Sequence, residues 1–180
     1  GGRGVSAGGG GVWGVGARAA PGWVVSAARS NPDRTRGVGE AASAGHGGLV
    51  AATAEATAGS AERIADLAED IAERAAHLAR LPEVTIPEPL QRMTDLTTSM
   101  VRHSLDAFVT LDTRLARIVC RLDDEVDRYN NEIIDELVQT MRTTPEMVEQ
   151  GLSLFSATRH LERIADHATN IAEDVVYLVE

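Results

Sequence analysis

Lysine is absent from the 180 residues: all seventeen basic side chains are arginine, against twenty-seven Asp and Glu, for a formal net charge of −10. With a pI near 4.9, the chain lacks the basic stripe by which a nucleic-acid binder neutralises phosphates. One cysteine, Cys120, excludes an internal disulfide framework and any CxxC zinc site. Aromatics make up only 3% of the residues, so the core must be aliphatic. No apolar run approaches the ~18–20 residues that a bilayer-spanning helix requires. A soluble, acidic protein of intracellular type is expected.

Glycine is nearly missing from one part of the chain and crowded into the other. Residues 1–60 hold sixteen of the seventeen glycines, both tryptophans and a charge balance of +2. Residues 61–180 hold only Gly151 and a balance of −12. The opening string GGRGVSAGGGGVWGVG shows neither helical nor strand periodicity, and disorder is expected over 1–48. Glycine also interrupts any compact apolar stretch that a secretory signal would need.

From residue 49 onward the apolar residues recur at helical spacing. Ile64, Leu67, Ala68, Ile71, Ala75 and Leu78 mark a first helix over 49–81, which Pro82 ends. Residues 82–89, with three prolines, read as a stiff linker. Residues 90–180 then read as three helices, near 90–110, 112–142 and 144–180. Asp112 is the expected N-cap of the middle one, and Thr144-Pro145 the start of the last. Nothing suggests a strand. The fold class is all-α, an antiparallel three-helix bundle preceded by one extra helix.

An internal repeat organises this region. SAERIADLAEDIAERAAHL (60–78) aligns without gaps on HLERIADHATNIAEDVVYL (160–178), with ten of nineteen positions identical. Helical composition alone would repeat Ala and Leu, but not the string Glu-Arg-Ile-Ala-Asp. The chain is therefore two copies of one helical unit, the second complete and the first reduced to its last helix.

Each copy carries Glu-x-x-x-Asp on that helix: Glu62/Asp66 and Glu162/Asp166. Four residues place the two carboxylates one above the other, where like charges repel by about 0.2–0.5 kcal/mol. A cation held by hard oxygen ligands would offset that repulsion. Asp123 and Asp127 repeat the spacing on the preceding helix. If the last two helices turn back near residue 143, Asp123 lies level with Glu162, and four carboxylates gather at one seam. Carboxylate donors favour Mg, Mn or Fe. His103, His160 and His167 are weaker ligand candidates, Cys120 reads as packing, and no catalytic or cofactor-binding constellation stands out. The competing reading is a solvated acidic face with Arg63, Arg121, Arg128, Arg159 and Arg163 as counter-ions.

Three strings, AERIADLAEDIAERA (61–75), RLDDEVDRYNNEII (121–134) and RHLERIADHATNIAEDVVYLVE (159–180), together resemble the PhoU family of phosphate-transport regulators. The resemblance implies tandem three-helix bundles whose E(D)xxxD motifs bind metal ions, of Fe, Mn, Mg or Zn. The ligands it implies are Glu62, Asp66, Asp123, Asp127, Glu162 and Asp166. It implies a cytoplasmic, homodimeric, non-enzymatic adaptor that negatively regulates the phosphate regulon. Its partners would be the phosphate transporter ATPase and a sensor histidine kinase, with neither nucleic-acid binding nor membrane insertion. Two alternatives are a carboxylate-bridged dimetal enzyme and a metal-free helical interaction module. The family would place two more helices ahead of Glu62. Residues 1–60 show no such pattern and resemble an out-of-frame reading of a GC-rich gene, so the first helix is expected to lack partners for its apolar face.

Limited proteolysis is expected to trim the N-terminal tract and leave a core beginning between about 45 and 60, as the change in periodicity requires. A resistant fragment retaining Trp13 and Trp23 would contradict this organisation.

Overall fold

The computed structural model describes residues 47–81 and 84–180. The expectation of disorder over 1–48 falls almost wholly outside them. Four long helices account for nearly all of the described residues: α1 (Gly47–Leu78), α2 (Glu88–Thr110), α3 (Thr113–Thr143) and α4 (Val148–Val179). Among the described residues there is no strand, and no helix is long and apolar enough to cross a membrane.

Local chemistry sets the helix ends. Helix α2 begins two residues before the expected boundary, taking in Glu88 and Pro89, because proline is tolerated in a first turn whose N–H groups lack intrahelical partners. It ends at Leu111, which adopts a left-handed conformation (φ 53°) and sends its N–H back to the Ala107 carbonyl. Asp112 follows at once as the N-cap of α3, its Oδ1 accepting from the N–H groups of Arg114 (2.9 Å) and Leu115 (3.1 Å). The α2–α3 connection is therefore two residues long, which forces the helices to be antiparallel neighbours.

The return from α3 to α4 is less direct. Pro145–Met147 form a single 3₁₀ turn after Thr144, whose side chain makes no capping bond. Gly151 lies just beyond. A Cβ there would come within 2.7 Å of Met141 Cγ and Sδ, so this glycine lets the end of α3 close onto the start of α4.

The core follows the apolar periodicity. Met93 and Met100 of α2, Val119, Val126 and Ile133 of α3, and Ile171 and Val175 of α4 are fully buried in one cluster. Helices α2, α3 and α4 pack pairwise as a complete bundle. Helix α1 packs on α4, and this corrects the expectation that its apolar face lacks partners: Ile64, Leu67 and Ala68 are buried there. The two helices run antiparallel, since His77 meets Glu149 at 3.2 Å while Ser60 and Arg63 share a groove with Asn170 and Asp174. The two copies of Glu-Arg-Ile-Ala-Asp thus pass each other in opposite directions, with Ile64 and Ile164 both inside.

Replacing Asp112 with Ala is expected to destabilise the protein by about 1 kcal/mol, and with Asn by much less, because the cap needs only an acceptor oxygen. Urea unfolding followed by circular dichroism checks this. Equal losses in both variants would show that the charge, not the cap, matters.

Candidate metal centre

The carboxylates expected at the α3–α4 seam do meet there, in a register different from the one that sequence geometry gives. Asp166 and Asp127 both act electrostatically on Asp123, and the same two residues act on Glu162. Asp123 therefore lies against the Asp166 and Thr169 level of α4, and Asp127 against Glu162. The 3₁₀ turn adds residues to the return and slides the pairing by about one turn. Asp123 is not level with Glu162, but Asp123 and Asp127 each lie near acidic residues of α4.

The four groups divide by exposure. Asp127 and Asp166 are exposed, whereas Asp123 and Glu162 are partly buried between the helices. The Glu162 side chain keeps only 16% of its accessible surface. Its Oε1 accepts from Arg159 Nη1 at 3.2 Å, and its Oε2 is buried without a hydrogen-bond partner. Burial raises the Asp123 and Glu162 proton affinities above their ordinary values, and the neighbouring carboxylates add to the rise. Arg159 opposes it at Glu162. At Asp123 the Thr169 hydroxyl opposes it, although its Oγ1 makes no well-formed hydrogen bond.

These groups suit a hard cation in donor type and charge. Among the described residues, however, no three His, Cys, Asp or Glu side chains converge closely enough to hold an ion as they stand. A ligand shell would require side-chain rotation about the seam, for which the exposed Asp127 and Asp166 have room. The pair expected on the first copy, Glu62 and Asp66, is exposed on α1, whose extensive packing is with α4.

The histidines stand apart from this seam. His167 is half-buried near Arg63 of α1, and burial together with Arg63 and Arg163 lowers its proton affinity, against a smaller opposing effect of Asp166. His160 contacts Ser156 Oγ through Nε2 at 3.2 Å, and His103 contacts Ser99 Oγ at 3.4 Å, each four residues back on its own helix. Cys120 is half-buried beside the core, and burial pushes its thiol pKa up. That environment suits packing and not a nucleophile.

Comparison with known proteins agrees with this architecture. The PhoU domain family model matches residues 90–175. The crystal structure of PhoU from Pseudomonas aeruginosa superposes with a TM-score of 0.74 at 31% identity, covering 88% of this chain and 77% of that one. The chain belongs to the PhoU family. The phosphate transport system regulatory protein PhoU from Streptococcus pneumoniae gives a TM-score of 0.66 at 27% identity, over 72% of this chain and 61% of that one. A phosphate-specific transport system accessory protein PhoU homolog from Pseudomonas putida is 45% identical over 85 residues, 47% of this chain. The match spans 33% of that relative's length, so the chain aligns with about a third of it.

The raised proton affinities give a pH signature. Asp123 and Glu162 bind protons more tightly folded than unfolded, so their contribution to stability is greatest below the ordinary carboxylate values of 3.8 and 4.5. It is lost as pH rises through the higher folded values. The Asp123→Asn/Glu162→Gln protein without metal should therefore melt higher than the parent at pH 7, with the difference shrinking towards pH 4. A constant difference across that range, measured by thermal melting, would show that the seam is not under charge strain.

Proposed function

We propose that the chain is a non-enzymatic accessory protein of phosphate transport. In this reading it is a cytoplasmic, homodimeric adaptor that binds metal and negatively regulates the phosphate regulon by coupling the transporter to a sensor histidine kinase. The observation that carries it is the likeness to PhoU of Pseudomonas aeruginosa over most of both chains. The carboxylate seam supports the metal-binding part. Asp123 and Glu162 are held in partial burial with too little positive charge nearby, an arrangement that costs stability unless a cation or a proton occupies it. Asp123, Asp127, Glu162 and Asp166 would hold the ion. Its charge would cancel their repulsion and draw α3 against α4, stiffening the faces offered to partners.

Metal binding only to the folded state stabilises it by RT ln(1+[L]/Kd), about 2.7 kcal/mol at a hundredfold excess over Kd. Mn or Fe titrated into metal-free protein should raise its melting temperature. The rise should vanish in Asp123→Ala/Glu162→Ala and survive in Glu62→Ala, because Glu62 is exposed on α1 and does not belong to the α3–α4 seam. Equal loss in both variants would refute this ranking. The regulatory part is tested in a bacterium lacking its own PhoU, where the chain should lower expression of a phosphate-regulon reporter in phosphate-rich medium. An unchanged reporter with the protein present would count against it.

A further inference from the structure

The metal seam leaves unused the one part of the helical region where positive charge is concentrated. Residues 113–122, TRLARIVCRL, carry three arginines and no acid, in a chain whose net charge is −10. Arg114, Arg117 and Arg121 recur at three and four residues, on one face of α3, with Ile118 beside them and 40% exposed. Arg117 reaches across to Glu180 and so joins α3 to the end of α4.

Between these two helices lies a groove of about 480 Å³, lined by Arg117, Cys120, Arg121, Glu173, Val176 and Tyr177. Cys120 and Val176 are partly buried against the core and form an apolar floor. Tyr177 stands at its edge with 73% of its surface exposed. Arg121 makes no ion pair with a described residue, and Arg114 approaches only the cap Asp112, at 3.8 Å. The groove therefore joins an apolar floor, an exposed aromatic ring and guanidinium groups not fully engaged in ion pairs.

We propose that this groove docks an acidic, amphipathic helical segment of another protein, an apolar side chain entering over Cys120 and Val176 while its carboxylates meet Arg114, Arg117 and Arg121. Charge complementarity decides the occupant. A flat anionic membrane would also meet Glu173 and Glu180 on the α4 wall, whereas a helix can place its few carboxylates on the α3 side alone. The inference deepens the adaptor reading and rests on it only for the occupant being another protein, not for the groove itself.

A synthetic helical peptide about 18 residues long, with a leucine stripe flanked by glutamates, serves as the probe. Its binding to the full chain is followed by fluorescence anisotropy. Arg117→Glu/Arg121→Glu should weaken binding by about tenfold or more, and Ile118→Ser/Tyr177→Ser by several-fold. Arg74→Glu/Arg142→Glu, with the same change in net charge elsewhere, should leave it nearly unchanged. All these side chains are exposed, and circular dichroism confirms that each variant is folded.

Equal binding of a peptide with lysine in place of glutamate, or undiminished binding by Arg117→Glu/Arg121→Glu, would overturn the proposal. Sedimentation of the parent, but not that variant, with phosphatidylglycerol vesicles would assign the surface to a membrane instead. Loss of a parent dimer in the variant would assign it to a second copy. Purified transporter ATPase and sensor kinase separate the two levels of the argument. If the parent binds neither but still takes the acidic peptide, the adaptor reading fails and the groove stands. If it binds one of them undiminished by Arg117→Glu/Arg121→Glu, the adaptor stands and the groove is not its docking site.

Discussion

Helix α4 is in contact with every other described helix, and this close packing on several sides depends on small side chains. Ala165, Ala168 and Ala172 are fully buried along it, at three- and four-residue spacing, with Ile164, Ile171 and Val175 between them. Small residues at a helix contact let the axes approach towards the short end of the usual 8–10 Å range. Larger residues there would push α1 outward or open the bundle. With apolar contacts on several faces, α4 has only narrow strips left for its polar groups. Glu162, His160, His167 and Thr169 are all partly buried as a result.

That confinement gives the acidic seam its chemistry. A freely solvated acidic face would show carboxylates near their ordinary proton affinities, with water screening one from the next. Here one member of each Glu/Asp-x-x-x-Asp pair faces inward, Asp123 on α3 and Glu162 on α4, while Asp127 and Asp166 stay outside and project their charge onto the inner two. Arg159 offsets only one of the four. The orphaned Oε2 of Glu162 is the local mark of a site that the protein's own donors leave incomplete.

Much of this was legible in the sequence because it depends on local rules. Periodicity located the four helices, Pro82 marked the limit of the first, and Asp112 announced its cap through its place between two apolar repeats. The repeated Glu-Arg-Ile-Ala-Asp string pointed to the family and to the acidic pairs. Two things resisted, both of them non-local. Periodicity shows that Ile64, Leu67 and Ala68 form an apolar face but not what covers it, and so the antiparallel pairing of α1 with α4 was missed. Geometry assuming a plain reversal placed Asp123 beside Glu162, because a 3₁₀ turn cannot be told from a helical first turn by its Thr-Pro start. Of the arginines of α3, only Arg121 and Arg128 were read at all, as counter-ions in the competing picture of a solvated acidic face. The signal against that reading was available, since residues 113–122 contain no acid to counter.

Those arginines also sit where helix electrostatics disfavours them. The N-terminal turns of a helix carry a partial positive charge, and cations placed there cost roughly 0.3–1 kcal/mol each, not a gain. Helix α3 has no acidic residue in its first turn, and Arg114 and Arg117 stand within its first five residues, offset by Asp112 and by Glu180. Arginines in the last turn would have suited the dipole, and that turn holds only Arg142. Arg114 gives the fold little in return, since its side chain is almost fully exposed. A partner's carboxylates would be attracted both by the guanidinium groups and by the helix dipole, so the arrangement that is unfavourable in the isolated bundle becomes favourable on docking. If both proposals hold, helix α3 separates two tasks along its length, an anion-seeking start and a cation-seeking middle, and the two residues linking it to α2 fix where the first of these falls.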